Sequence, residues 1–93
     1  MPAPRVQITY CRRCRFLPRA SWIAGELLTT FADDLGEVAL VPGESGVFEV
    51  ALDGKLLFAR SQMGRFPDPK ELKQLIRDVI APGRSLGHSD NQS

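Results

Sequence analysis

Cys11 and Cys14 are the only cysteines of this 93-residue chain, and they form a C-x-x-C within Tyr10-Cys11-Arg12-Arg13-Cys14-Arg15. The chemistry open to such a pair is thiol-disulfide exchange. A thiolate, not a thiol, attacks a disulfide or a peroxide, and an unperturbed cysteine with a pKa of ~8.5 is mostly protonated at neutral pH. Cationic neighbours favour the anion, and arginines stand at positions 12, 13, 15 and 19. Two intervening residues let the sulfurs approach to the ~2 Å of an S–S bond without long loop closure. A reversible intramolecular disulfide is therefore expected, with one cysteine attacking and the other resolving the mixed disulfide.

The elements around the pair are arranged to present it. Val6-Gln7-Ile8-Thr9-Tyr10 alternates apolar and polar residues and predicts a strand from about Arg5 to Tyr10. Beyond it, Ala20, Ile23, Ala24, Leu27, Leu28 and Phe31 recur at helical spacing and predict a helix from Leu17 to Phe31, with Pro18 in its first turn. The dithiol thus falls at a strand-to-helix junction, where the positive end of the helix also favours a thiolate. That is the layout of thioredoxin-like redox proteins.

Asp33-Asp34-Leu35-Gly36 ends the helix, and the apolar run Glu37-Val38-Ala39-Leu40-Val41 reads as a buried strand closed by Pro42-Gly43. Val47–Leu52 and Lys55–Arg60 flank Asp53-Gly54, a strong hairpin signal because a type I′ turn needs positive φ at both central residues. A second helix starts with Asp68 as cap, Pro69 in the first position and Glu71 three residues after the cap. Its buried stripe is Leu72, Leu75, Ile76, Val79 and Ile80, and Pro82-Gly83 stops it.

The order β-α-β-β-β-α predicts an α/β chain of the α+β kind. The first two strands are parallel through a crossover, the hairpin is antiparallel, and the mixed four-stranded sheet carries two helices on one face. A single domain spans residues 1–83. The polar stretch 84–93 is expected to be flexible unless Leu86 and His88 dock it.

Composition excludes several classes. With 43% hydrophobic and 25% charged residues the chain is neither disordered nor membrane-spanning. The start, Met1-Pro2-Ala3-Pro4-Arg5, lacks the apolar stretch of a signal peptide, so a cytoplasmic protein is expected, and in that compartment vicinal cysteines serve catalysis or metal more often than stapling.

The net charge is only +1, but residues 1–20 hold five arginines and no acid while residues 21–54 hold seven acids and no base. Positive charge beside the cysteines attracts anionic partners such as glutathione or an acidic protein surface. Nucleic acid is not expected, since the chain has neither an overall basic charge nor a recognised binding module. A structural zinc site needs four ligands, and only Cys11, Cys14, the distant His88 and Asp90 are on offer, so no metal is assigned. Trp22 lies off the helical stripe and, with Phe66, is available to a partner or to a neighbouring loop. Phe48 and Phe58 are core candidates in strands.

From Val6 to about Pro82 the chain resembles the selenoprotein W-like branch of the SelT/SelW/SelH (Rdx) thioredoxin-fold family. The resemblance is carried by Val6-Gln7-Ile8-Thr9-Tyr10-Cys11-Arg12-Arg13-Cys14, by Pro18, by Gly46-Val47-Phe48-Glu49-Val50 leading through Asp53-Gly54-Lys55, and by Gly64-Arg65-Phe66-Pro67. It implies a cytoplasmic thiol oxidoreductase or antioxidant linked to glutathione. No bound cofactor is implied, and a monomer or weak dimer is expected.

Cys11 and Cys14 would be the reacting pair, with Arg12, Arg13, Arg15 and Phe66 facing the partner, either glutathione or a protein thiol or disulfide. Selenoprotein members carry selenocysteine where this chain has Cys14, which implies slower peroxide chemistry here. By thioredoxin analogy Cys11 attacks; by selenoprotein analogy Cys14 does. A non-enzymatic redox-sensing adaptor, whose dithiol switches a protein contact, is the alternative function. No proline clearly precedes the third strand in the manner of the substrate-binding cis-proline of thioredoxins.

Overall fold

In the computed structural model, which describes residues 3–87, four strands form one sheet. The strands are β1 (Arg5–Cys11), β2 (Glu37–Gly43), β3 (Phe48–Leu52) and β4 (Lys55–Ala59), and the helices are α1 (Leu17–Thr30), α2 (Arg60–Met63) and α3 (Pro69–Ile80). The sheet order is β2-β1-β3-β4, with β1 parallel to β2 and antiparallel to β3, and β3 antiparallel to β4. β1, the strand that carries Cys11, is therefore central.

Period-2 alternation decides which face is covered. Val6, Ile8 and Tyr10 from β1 and Phe48, Val50 and Leu52 from β3 are buried in one cluster with Ala20, Ile23 and Leu27 of α1 and Leu72 and Ile76 of α3. The long helices thus share one face, as expected. Gln7, Thr9, Glu49 and Ala51 point to the other face and are only half-buried.

Three local features depart from the expected layout. β2 is an edge strand, half-buried rather than buried, and it runs on through Pro42 and Gly43. Proline, which has no N–H, is accommodated because an edge strand needs to bond on one side only. Second, β4 is followed directly by the single turn α2, so Arg60 begins a helix instead of ending a strand, and Gly64 at φ 72° closes that turn. Third, a register shift lies between Val50 and Ala51, so that Val50 faces Phe58 while Ala51 faces Leu56. The extra residue, Leu57, then packs against the core beside Phe58.

Two turns follow the chemistry of their residues. Asp53 at φ 48° and Gly54 at φ 85° make the type I′ geometry of the β3–β4 hairpin. The start of the C-terminal stretch is docked: Arg84 pairs with Asp34 and lies 5.7 Å from the centroid of the Phe31 ring, and Leu86 packs on the core. His88 and the residues after it lie outside the described residues.

The N-terminus of α3 has the expected capping box. The Asp68 carboxylate accepts a hydrogen bond from the Lys70 N–H at 2.9 Å, and the Glu71 carboxylate accepts one from the Asp68 N–H at 3.1 Å. Arg65 adds two parallel hydrogen bonds to Glu71, at 2.7 and 3.0 Å. These bonds, opposed by partial desolvation, hold the Glu71 carboxyl below the usual carboxylate range.

A carboxyl depressed by folding contributes stability above its unfolded pKa, and that contribution is lost as pH falls through the folded value. Loss of the cap hydrogen bond in Asp68→Ala should lower the unfolding free energy by ~1 kcal/mol at neutral pH. Glu71→Gln should flatten the acid side of the stability profile. Chemical denaturation at neutral and acidic pH checks both expectations, and an unchanged midpoint for Asp68→Ala would contradict the first.

Candidate dithiol site

β1 delivers Cys11 at its last position, where two contacts hold it. Its N–H donates to the Val47 carbonyl at 2.8 Å, and it pairs in register with Gly43 of β2. A side chain at Gly43 would force its neighbours to shift, since a Cβ would stand 2.7 Å from Val47 Cγ1 and 3.1 Å from Thr9 Cγ2. The loop from Glu44 to Val47 is thereby pressed against the end of β1, with Ser45 at φ 57° and Gly46 at φ 76° turning the chain back.

After Cys11 the chain makes a single 3-10 turn, Arg12–Cys14, and Arg15 at φ 60° reverses it before Phe16 caps α1 without a side-chain hydrogen bond. Cys14 therefore precedes α1 by three positions and belongs to its own turn, at the strand-to-helix junction where the sequence places it. The Cα atoms of Cys11 and Cys14 are 5.3 Å apart, inside the bridging range, and the two sulfurs are joined in a disulfide.

The two sulfurs differ sharply in environment. Cys11 is 2% exposed, whereas Cys14 is exposed, in a turn none of whose own residues is buried. An incoming nucleophile or disulfide reaches the Cys14 side first.

The arginines are not free charges. Arg12 Nε lies 3.3 Å from Glu44 Oε1 and Arg13 Nε lies 3.7 Å from Glu44 Oε2, so one carboxylate on the β2–β3 loop answers both. All three side chains are exposed, which keeps each pair weak. Arg15, on the reversing residue, is exposed.

Phe66 is half-buried at the centre of an aromatic group, with its ring centroid 4.8 Å from that of Phe16 and 5.3 Å from that of Phe48, edge to face in both cases. Arg19 lies over its ring at 4.2 Å. The sequence-predicted residues Cys11, Cys14, Arg12 and Arg13 are thus gathered on one turn, and Phe66 reaches the same end of the fold through Phe16.

Glu44 and Arg60 escaped sequence reasoning. Glu44 enters only because parallel pairing carries the loop after β2 alongside the loop after β1, and nothing in its local sequence signals that. Trp22 is exposed on α1, as its place off the stripe suggests. Among the described residues no cluster of three metal-ligating side chains exists, and no helix is long and apolar enough to cross a membrane. His88 and Asp90, the remaining ligands considered for zinc, lie outside the described residues.

A central strand ending in a C-x-x-C disulfide, followed by a helix in a mixed α+β sheet, defines a thioredoxin-like dithiol protein. The particular family follows from comparison with known proteins: residues 5–78 match the Rdx family, and the chain belongs to it. A SelT-like protein of Arabidopsis thaliana is 36% identical over 70 residues, covering 74% of this chain and 29% of that one. Migration and invasion enhancer 1 of Mus musculus is 28% identical over 74 residues, covering 77% of this chain and 61% of that one. The chain therefore spans less than two thirds of the length of each of these relatives.

Solved structures match along nearly their whole length. The crystal structure of a selenoprotein W-related protein from Vibrio cholerae superposes with a TM-score of 0.82 at 41% identity, covering 84% of this chain and 98% of that one. A Bordetella parapertussis protein superposes with a TM-score of 0.80 at 54% identity, covering 82% and 96%.

Proposed function

We propose that this protein is a cytoplasmic thiol-disulfide oxidoreductase or antioxidant linked to glutathione, in which Cys14 attacks and Cys11 resolves. The observation that carries the reading is the contrast between an exposed Cys14 and a buried Cys11 within one disulfide-bonded pair. In the reduced protein the Cys14 thiolate attacks a substrate disulfide, forms a mixed disulfide and expels one thiolate. Cys11 then attacks the Cys14 sulfur and expels the second, so two electrons pass from the dithiol to the substrate.

The return half uses two molecules of glutathione. The first thiolate attacks the Cys14 sulfur and releases Cys11. The second attacks the glutathione sulfur of the resulting mixed disulfide, giving oxidised glutathione and the free dithiol. Arg12, Arg13 and Arg15 guide anionic partners to this turn, and Phe66 supplies apolar contact beside it.

Steady-state assay with a disulfide or peroxide substrate and glutathione as reductant tests the reading. Many turnovers per protein molecule are expected. Oxidation of one equivalent followed by a halt would instead identify a redox-sensing adaptor.

A further inference from the structure

Arg60 is half-buried, with its guanidinium beside two aromatic rings and no ion-pair partner among the described residues. Its Nε is buried without a hydrogen bond, and no carboxylate among the described residues pairs with it. Its guanidinium carbon stands 5.0 Å from the centroid of the Phe66 ring and 5.5 Å from that of Phe16. On another side the backbone of Gly46 passes, where a Cβ would lie 4.0 Å from Nη1. A buried guanidinium N–H left without an acceptor is costly, and the fold tolerates it most readily where a ligand completes the set.

The site for that ligand is present. A cleft of about 300 Å³ is bounded by the loop from Glu44 to Val47 and by Arg60 and Ser61. This loop is the one whose Val47 carbonyl holds Cys11 and whose Glu44 engages Arg12 and Arg13. Phe16, against which Arg60 packs, is two residues beyond Cys14. The cleft and the dithiol turn therefore meet along the loop from Glu44 to Val47, which borders both. Since Glu44 already answers Arg12 and Arg13, the unpaired positive charge lining the cleft is that of Arg60.

We propose that Arg60 is the carboxylate anchor for the disulfide substrate, which we assign to the class of small disulfides bearing a carboxylate on each half. The inference rests on the thiol-disulfide reading above and deepens it. A planar guanidinium offers parallel N–H donors that match the two oxygens of a carboxylate, and the Phe16 and Phe66 rings pack beside it. Glu44 and Glu49 also border the cleft and oppose a densely anionic surface. They leave room for a ligand that brings a single carboxylate to Arg60. The chemistry remains the exchange already written: the anchor holds the substrate while the Cys14 thiolate displaces one of its halves.

Two disulfide reagents separate this role from a general effect on the thiols. Dithiobis-nitrobenzoate carries a carboxylate on each half, and dithiodipyridine is uncharged at neutral pH. For the reduced full chain, the ratio of the rate constant with the first reagent to that with the second should fall about tenfold in Arg60→Met, with Arg60→Lys in between because it keeps the charge and loses the fork. Thermal unfolding of both variants accompanies the rates, and should Arg60→Met fail to fold, Arg60→Lys alone must show the lowered ratio. An unchanged ratio in the folded variants overturns the proposal, whether or not both rates fall together. Failure of the parent protein to react with dithiodipyridine would remove the dithiol chemistry itself, and this subsite with it.

Discussion

Cys14→Ser is expected to abolish the rapid reaction of the native protein with disulfides, by at least about a hundredfold, because the remaining thiol is buried and burial withholds a cysteine from exchange. Cys11→Ser should behave differently. Its exposed Cys14 can still attack once, but no second thiol resolves the product, so the variant should accumulate a stable mixed disulfide with oxidised glutathione. Intact mass after mixing reads both outcomes directly. The adduct on Cys11→Ser together with an unmodified Cys14→Ser supports the assigned order; the opposite pattern would make Cys11 the attacking residue and leave its burial without a functional meaning.

The largest effect on stability is expected at Phe48. Its side chain is fully buried, the first residue of β3, and its ring meets those of Phe16 at 6.3 Å and Phe66 at 5.3 Å. Phe48→Ala removes the most deeply buried ring of that group and leaves a cavity beneath Phe16 and Phe66, at a cost of ~3–5 kcal/mol. A domain of this size has a total stability of roughly 5–10 kcal/mol, so the variant should sit close to its unfolding transition at 37 °C. Because Val47 immediately precedes Phe48 and its carbonyl holds Cys11, the loss should also raise the reactivity of Cys11 toward alkylation after reduction. Denaturant unfolding with a loss below ~1 kcal/mol would contradict the role given to this residue.

Much of this arrangement was legible in the sequence where one local rule acts alone. Alternation in Val6–Tyr10 places β1, the Asp68-Pro69-x-Glu71 pattern starts α3, and Asp53-Gly54 can hardly be anything but a tight hairpin. The C-x-x-C was readable as a bridgeable pair for the same reason: spacing of two intervening residues is a local property.

What escaped depends on pairing between distant segments. The run Glu37–Val41 looks the same whether its strand is central or at an edge, and only the sheet order shows that β2 is an edge and that Pro42 belongs to it. The turn α2 is too short for any periodicity. The unequal burial of the two cysteines follows from the loop after β2 folding over the end of β1, and so does the pairing of Glu44 with Arg12 and Arg13. The family's selenocysteine position pointed toward Cys14, while local spacing left the two sulfurs equivalent; burial now distinguishes them.

The central claim is that Cys11 and Cys14 form a reversible redox couple. The most direct test is to equilibrate the protein in a series of glutathione redox buffers, quench by alkylation and weigh the intact chain. The account predicts a single transition in which the chain loses about 2 Da and both thiols become protected together, fully restored on reduction, with each 30 mV of potential corresponding to ~1.4 kcal/mol. Two thiols that remain alkylatable in the most oxidising buffer, or zinc that copurifies stoichiometrically and shields them, would contradict it.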